Sequence, residues 1–342
     1  MLQDLRDKYT ERSTPADGKK RLAVFRMGGF GDLLMATSCL PWLKSQGWHI
    51  TFFCSRRHSQ AVWHDPNIDN FVPVDMGQCS DAQHGEMIRT ALSEYDAVLN
   101  LSDTCEGTSL QNPDRAAYWW PAKARRAVFG GVSYLGLIAL LAGCEKDQLL
   151  ERFYPTADET AWARRTKAGR NLLVSCSGSG VHKWYPHLGQ VLAHLLHWLS
   201  DLHIWTVGET SMFKPFAKHD RLHQVQHEWK LRQSMTFATQ ADIVLGPETG
   251  LMHAVGHLPM AKVLLLSHSS AQNIGDDWIN CQTVSPDPVK APCHPCHRMH
   301  RVKDFCEVLP SGAALCADSI APMDVVRAVN RAHLKLEERL CA

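Results

Sequence analysis

Short apolar runs alternate along this chain with stretches whose apolar positions recur at helical spacing. In the first half, residues 22–25, 50–54, 70–74 and 97–101 predict strands. Helices are predicted from Asp32 onward, where Leu33, Leu34, Leu40 and Leu43 share a face, and over residues 85–93. An apolar helix follows over 132–142. A charged stretch, 145–168, reads as a solvated connector and holds the domain boundary. The pattern then restarts, with strands at 171–175, 202–207, 243–245 and 262–266, the last of the series. Helices are predicted over 188–199 and 235–241 and from 251 onward, and a terminal helix over 320–340. Strands alternating with helices in two successive sets predict an α/β protein with two mostly parallel sheets, one per half.

With 342 residues, the chain is long enough for two domains of about 150 residues each. The domains read as a polar N-terminal extension (1–20), a first Rossmann-like domain (21–155), a second (156–318) and a C-terminal helix (319–342). The basic residues Arg327, Arg331, Lys335 and Arg339 read as that helix's solvated face. The 36 basic and 35 acidic side chains nearly cancel, so nothing in the bulk charge demands a polyanionic partner. The first residues lack the apolar core of a signal peptide, and 132–142 is shorter than the ~20 residues a membrane helix needs. The expectation is a cytoplasmic protein without a transmembrane segment. Its scattered cysteines do not match a small secreted disulfide scaffold. The 19 histidines and 11 tryptophans have no single explanation in the pattern.

Six groups of residues carry candidate chemistry. Gly28-Gly29-Phe30-Gly31-Asp32 puts an acid at the carboxyl end of the first strand, where open α/β sheets build their sites. It lacks the dinucleotide fingerprint and the Walker G-K-[ST]. Asp32 reads as a general base or as a helix cap. The loop with Ser177 and Ser179, followed by Lys183, offers hydroxyls, amides and a mobile cation to a diphosphate, or is a flexible loop with a surface lysine. Glu209, at a strand end, reads as a ribose ligand or a cap. In Gly246-Pro-Glu248-Thr249-Gly250-Leu-Met-His253, backbone amides face a helix start, and His253 is either a second phosphate donor or packed. Cys293 and Cys296, with Cys306 and Cys316, have the residue types of a structural zinc site, with His294, His297 and His300 nearby; buried thiols or a disulfide are the other readings. Trp119-Trp120, beside Lys123, Arg125 and Arg126, reads as a stacking surface for a sugar or base, or as packed core.

Four segments together resemble the heptosyltransferase-like glycosyltransferases, glycosyltransferase family 9, which includes the ADP-heptose:lipopolysaccharide transferases. They are RLAVFRMGGFGDLLMATSCLPWLK, SCSGSGVHKWYP, ADIVLGPETGLMHAVGHL and CHPCHRMHRVKDFC, in this order over nearly the whole chain. The resemblance implies the GT-B fold, two Rossmann-like domains facing across a cleft, with the acceptor on the first and a nucleotide-diphosphate sugar on the second. It implies inverting transfer that requires no cofactor for catalysis. Asp32 then matches the catalytic aspartate, within the acceptor-side loop Gly28, Gly29 and Gly31. Lys183 matches the diphosphate lysine, Glu209 the ribose acid, and Thr249, Gly250 and His253 the phosphate-cradling loop. Family members of the lipopolysaccharide type commonly carry Asp before the Thr-Gly pair. Here Glu248 moves that carboxylate by one methylene.

Three other functions compete. A transferase of the same fold that glycosylates a DNA base needs a basic, aromatic-lined groove, to which Arg56, Arg57, Arg115, Lys123, Arg125 and Arg126 would contribute. A non-catalytic module would bind nucleotide sugar or glycan without consuming it. A dehydrogenase is disfavoured by the missing glycine fingerprint. The expected partners are a nucleotide sugar and a glycan or other hydroxyl-bearing acceptor.

Overall fold

A computed structural model describes residues 18–75, 81–102, 121, 124, 131–209, 218–296, 306 and 308–341. The described residues of Met1–Ser109 and Tyr134–Tyr154 form one compact unit, and those of Leu110–Ser133 and Pro155–Ala342 form another. Residues 131–133 therefore belong with the second unit, not with the first as the predicted boundary had them. Asn273 donates to the Val132 carbonyl at 2.9 Å, and the Ser133 hydroxyl bonds Asp277.

In the first unit, β1 (Arg21–Arg26) leads into α1 (Phe30–Thr37) and α2 (Leu40–Ser45). Then come β2 (His49–Ser55), a 3₁₀ turn (Arg56–Ala61), β3 (Asn70–Val74), α3 (Asp81–Glu94), β4 (Ala97–Asn100) and α4 (Tyr134–Ala142). The described strands form one parallel sheet in the order β3-β2-β1-β4. Residues 22–26 of β1 and all of β2 are buried, as continuous apolar runs in a covered parallel sheet should be. Phe25 and Phe53 stack at 4.3 Å beneath Met87 and Ala91 of α3.

Asp65, between the 3₁₀ turn and β3, is a buried acid in this unit. Its Oδ1 accepts the backbone N–H of Asn67 at 2.9 Å and the Asn67 side chain at 2.8 Å, yet burial outweighs both bonds and pushes its pKa up to about 6. A carboxyl with a raised folded pKa stabilises the fold below its unfolded pKa, about 4, and that contribution is lost as pH rises through about 6. Asp65→Asn keeps the Oδ1 acceptor and removes the charge. It is expected to stabilise the protein by about 2 kcal/mol at pH 8 and by much less near pH 4. Denaturant unfolding across that range checks this; a pH-independent difference would contradict it.

In the second unit, the stretch from Pro155 opens with α5 (Ala157–Thr166), inside the segment predicted to be a plain connector. Thr156 and Glu159 form a reciprocal capping box, and Glu159 grips Arg232 with both oxygens at 2.7 and 2.6 Å. The charges thus start and anchor this helix, where the sequence reading took them for solvation. There follow β5 (Arg170–Ser175), α6 (Leu188–Trp198), β6 (Leu202–Val207), β7 (Leu222–Gln224), α7 (Leu231–Ala238), β8 (Ile243–Pro247), α8 (Gly250–His253), β9 (Ala261–Leu265), β10 (Cys281–Val284), α9 (Leu315–Asp318) and α10 (Pro322–Cys341). The described strands pair in parallel in the order β10-β9-β8-β5-β6-β7. The two outermost strands, β7 and β10, were not predicted. Both are short edge strands with few apolar residues, and β10 displaces β9 as the last strand.

The core of this unit packs α6 and α10 against the sheet through Val191, Leu195, Val325 and Val329. Arg327, Arg331 and Lys335 lie exposed on the other side of α10, as predicted. Many of the histidines and tryptophans also find their place here. Trp205 stacks on His223 at 4.0 Å and on Trp229 at 5.3 Å, and His203 bonds His223 at 3.1 Å. They form an aromatic column on the sheet that reaches Trp162 of α5. Among the described residues, no helix is long and apolar enough to cross a membrane.

Candidate functional site

Strand order locates the candidate sites. In the first sheet the connections run outward from β1 to β2 and β3, then return to the other side with β4, so the topological switch lies between β1 and β4. In the second it lies between β5 and β8. Open parallel sheets leave a crevice at the carboxyl ends of such strands. Asp32 follows β1, and the Ser177 and Glu248 loops follow β5 and β8.

Asp32 sits in the first turn of α1 with both carboxylate oxygens engaged. Oδ2 accepts the Gly29 amide at 2.6 Å, and Oδ1 accepts Nη2 of Arg26 at 2.6 Å. Arg26 is 2% exposed, and its Nη1 donates to the Leu101 carbonyl at 2.8 Å, so one guanidinium ties the end of β1 to the segment after β4. Asp32 is thus a cap, as one reading had it. Its side chain nevertheless stays 29% exposed at the strand end, as the base reading requires. Gly28 is what lets the carboxylate fold back over the turn: its φ is +150°, and a Cβ there would lie 2.5 Å from Oδ2. Gly31 is buried in the same turn, and Gly29 is the helix cap position.

His58 was not singled out by the sequence, yet it is a neighbour of Asp32. Its Nδ1 shares a 2.9 Å hydrogen bond with Ser55, whose hydroxyl donates to the Gly28 carbonyl, and its ring meets Phe30 edge-on at 4.6 Å. Burial pushes its pKa below the usual histidine range; a bond to Gly28 and the Asp32 charge pull the other way, while Arg57 adds to the depression.

At the second switch, a line of hydroxyls crosses from β5 to β8. Ser175 Oγ lies 3.3 Å from Thr249 Oγ1 and 3.4 Å from the Ser177 carbonyl. Gly246 makes this approach possible, since a Cβ on it would lie 2.7 Å from that of Ser175. Ser177 Oγ accepts the Glu209 amide at 2.8 Å, which fixes the turn after β6 and leaves the Glu209 residue exposed. Ser179 is exposed on the same loop.

Glu248 is the centre of charge. Its side chain is only 8% exposed, with Lys183 Nζ 3.9 Å and His253 Nε2 3.8 Å from Oε1. His268 Nε2 lies 3.4 Å from Oε2, which also accepts the Ser269 hydroxyl at 2.8 Å. Burial alone would raise the pKa of this acid; Lys183, His268 and His253 outweigh it and hold the carboxyl well below the usual range. His253 is itself packed, edge-on to Trp278 at 5.1 Å. Of the predicted residues, Ser177, Lys183, Glu209, Glu248, Thr249, Gly250 and His253 therefore lie along one strand-end edge. Ser175, the first residue of the SCSGSG segment, is an addition to the predicted residues, and His268 and Ser269 are additions with no motif to announce them.

The four cysteines read as a zinc site, as buried thiols or as a disulfide differ in exposure. Cys293 is exposed, Cys306 half-buried, and Cys296 and Cys316 buried. Burial, with the neighbouring thiols of Cys296, Cys306 and Cys293, pushes the Cys316 thiol up to about 12. Among the described residues, no three or more His, Cys, Asp or Glu side chains are grouped so as to hold a metal ion. His297, His300, Arg115, Trp119, Trp120, Lys123, Arg125 and Arg126 lie outside the described residues.

No protein-family model matches the sequence, and no curated protein is similar to it. Solved structures do match its fold. The ADP-heptose LPS heptosyltransferase II of E. coli superposes with a TM-score of 0.60 at 15% identity, over 93% of this chain and 99% of that one. A glycosyl transferase family 9 protein from Veillonella parvula gives 0.63 at 15% identity, over 92% and 98%. The iron-containing dodecameric glycosyltransferase TibC of enterotoxigenic E. coli gives 0.62 at 15% identity, over 94% and 80%. The chain thus has the two Rossmann-type units of a GT-B-like fold.

Proposed function

We propose that this protein is an inverting glycosyltransferase of the heptosyltransferase-like family 9, which moves a sugar from a nucleotide-diphosphate donor to an acceptor hydroxyl. The observation that carries this reading is the strand-end cluster of the second unit. A lysine, two histidines, a hydroxyl chain and the Thr249–Gly250 turn converge at the β5/β8 switch, a set of groups suited to a diphosphate. The strand-end carboxylate in the first unit and the fold shared with three glycosyltransferases support it.

In this mechanism Asp32 takes the proton of the acceptor hydroxyl, whose oxygen attacks the anomeric carbon. The bond from that carbon to the diphosphate oxygen breaks on the opposite face and leaves the nucleoside diphosphate. Lys183 and the backbone at Thr249 and Gly250 stabilise the charge developing there. Glu209 holds the nucleotide ribose. The sugar proposed is a heptose or a related one, with Glu248 in place of the family's usual aspartate. TibC is described as iron-containing; in this chain the proposed chemistry routes no step through a metal, and elemental analysis of the purified protein measures metal content directly.

Calorimetric titration with a panel of nucleotide sugars tests the reading. One donor is expected to bind saturably at one site, and to release its nucleoside diphosphate when a suitable acceptor is present. A chain that binds no nucleotide sugar and no nucleoside diphosphate would contradict it.

A further inference from the structure

Glu248 is an odd residue for a site meant to receive a diphosphate, because it places a negative charge where another is to bind. The contact lengths suggest why it is there. Among the described residues, its tight hydrogen bond comes from a neutral group, Ser269 at 2.8 Å. The other neighbours stand further off, the His268 imidazole at 3.4 Å, the His253 imidazole at 3.8 Å and the Lys183 ammonium at 3.9 Å. His182, edge-on to His268 at 5.0 Å, and His294, on the Ser269 carbonyl at 3.2 Å, close the surroundings with further imidazoles. The carboxylate is thus anchored by a serine, and Lys183, at 3.9 Å, is the most distant of these four neighbours and the one an outside oxyanion can draw away.

We infer that Glu248 is a built-in counter-anion that weakens the site selectively for the released nucleoside diphosphate. This rests on the reading of the cluster as a diphosphate site. A sugar-capped diphosphate carries two negative charges at neutral pH, whereas the free nucleoside diphosphate has an ionisable terminal phosphate and carries up to three. A fixed carboxylate a few ångströms away repels the product more than the donor, because Coulomb energy scales with the product of the charges. Before a ligand arrives, Glu248 also balances Lys183, so neither charge is buried alone. Glu248 thereby sets the preference between donor and product and eases product release.

The test is calorimetry on the full chain with inorganic pyrophosphate, ADP, GDP, UDP and CDP, together with ADP-glucose, GDP-mannose and UDP-glucose. Glu248→Gln keeps the shape and an acceptor for Ser269 but removes the charge. It is expected to tighten the bare diphosphate that wild type binds by on the order of tenfold, and its sugar-capped counterpart by less. Glu248→Asp, which keeps the charge, should retain the wild-type ratio of the two affinities. If E248Q does not fold, Glu248→Ser carries the same expectation, since it removes the charge and leaves a hydroxyl and room for water beside Lys183. Unchanged or weaker binding of the bare diphosphate in the neutral variant overturns the inference alone, as does an equal gain for both ligands. Wild-type protein that binds none of the probes overturns the proposed function along with it.

Discussion

Asp32→Asn is expected to lower the rate of glycosyl transfer by about 10²–10⁴-fold, the usual contribution of a positioned general base. Asparagine cannot take the acceptor proton. Its amide must also face either Arg26 or the Gly29 N–H, both of which are donors to the carboxylate now present. The variant therefore loses one of two hydrogen bonds as well as its basicity, and a fall in melting temperature should accompany the loss of rate. The base role is separated from the structural one by donor affinity. Asp32 lies in the first unit and the diphosphate groups in the second, so donor binding should stay within about threefold of wild type by the independence of sites without shared partners. Single-turnover rates and donor titrations on the same preparation check both halves. A near wild-type rate would remove Asp32 from the chemistry, and a matching loss of donor binding would make it a folding residue.

Lys183→Ala is expected to weaken the nucleotide-sugar donor by roughly 10–100-fold, the worth of a charge-assisted hydrogen bond. The same change leaves Glu248 buried without its lysine, beside the two imidazoles and Ser269. It should therefore also lower the melting temperature of the unliganded protein. Lys183→Arg keeps the charge and should recover stability more fully than affinity, since its planar fork does not reproduce an ammonium's reach. Titration of donor into the three proteins, with thermal melts of each, reads the two effects separately. Undiminished donor affinity in Lys183→Ala would place the diphosphate elsewhere.

The parts of this structure that the sequence revealed are those whose cause is local. β1, β2 and β5 read as strands because each carries an uninterrupted or nearly uninterrupted buried apolar run at its centre, and Gly28 and Asp32 stood out because a tight turn demanded them. The strands β7 and β10 were missed because edge strands need little apolar surface. The helix α5 was missed because its charges cap it and bind Arg232, a residue 73 positions away. Distance along the chain also hid the supporting groups of the site. Arg26 is fixed by Leu101, 75 residues on, and Glu248 by Ser269, 21 residues on. No spacing rule connects those pairs; the parallel crossovers bring them together.

The most direct test of the central claim is a crystal structure of the protein with the nucleotide sugar that titration selects. The account predicts the diphosphate at the β5/β8 switch, with its oxygens about 3 Å from Lys183 Nζ and from the backbone amides at Thr249 and Gly250, and Lys183 turned away from Glu248. A nucleotide bound at any other edge of the sheet, with Lys183 still facing Glu248, would contradict it.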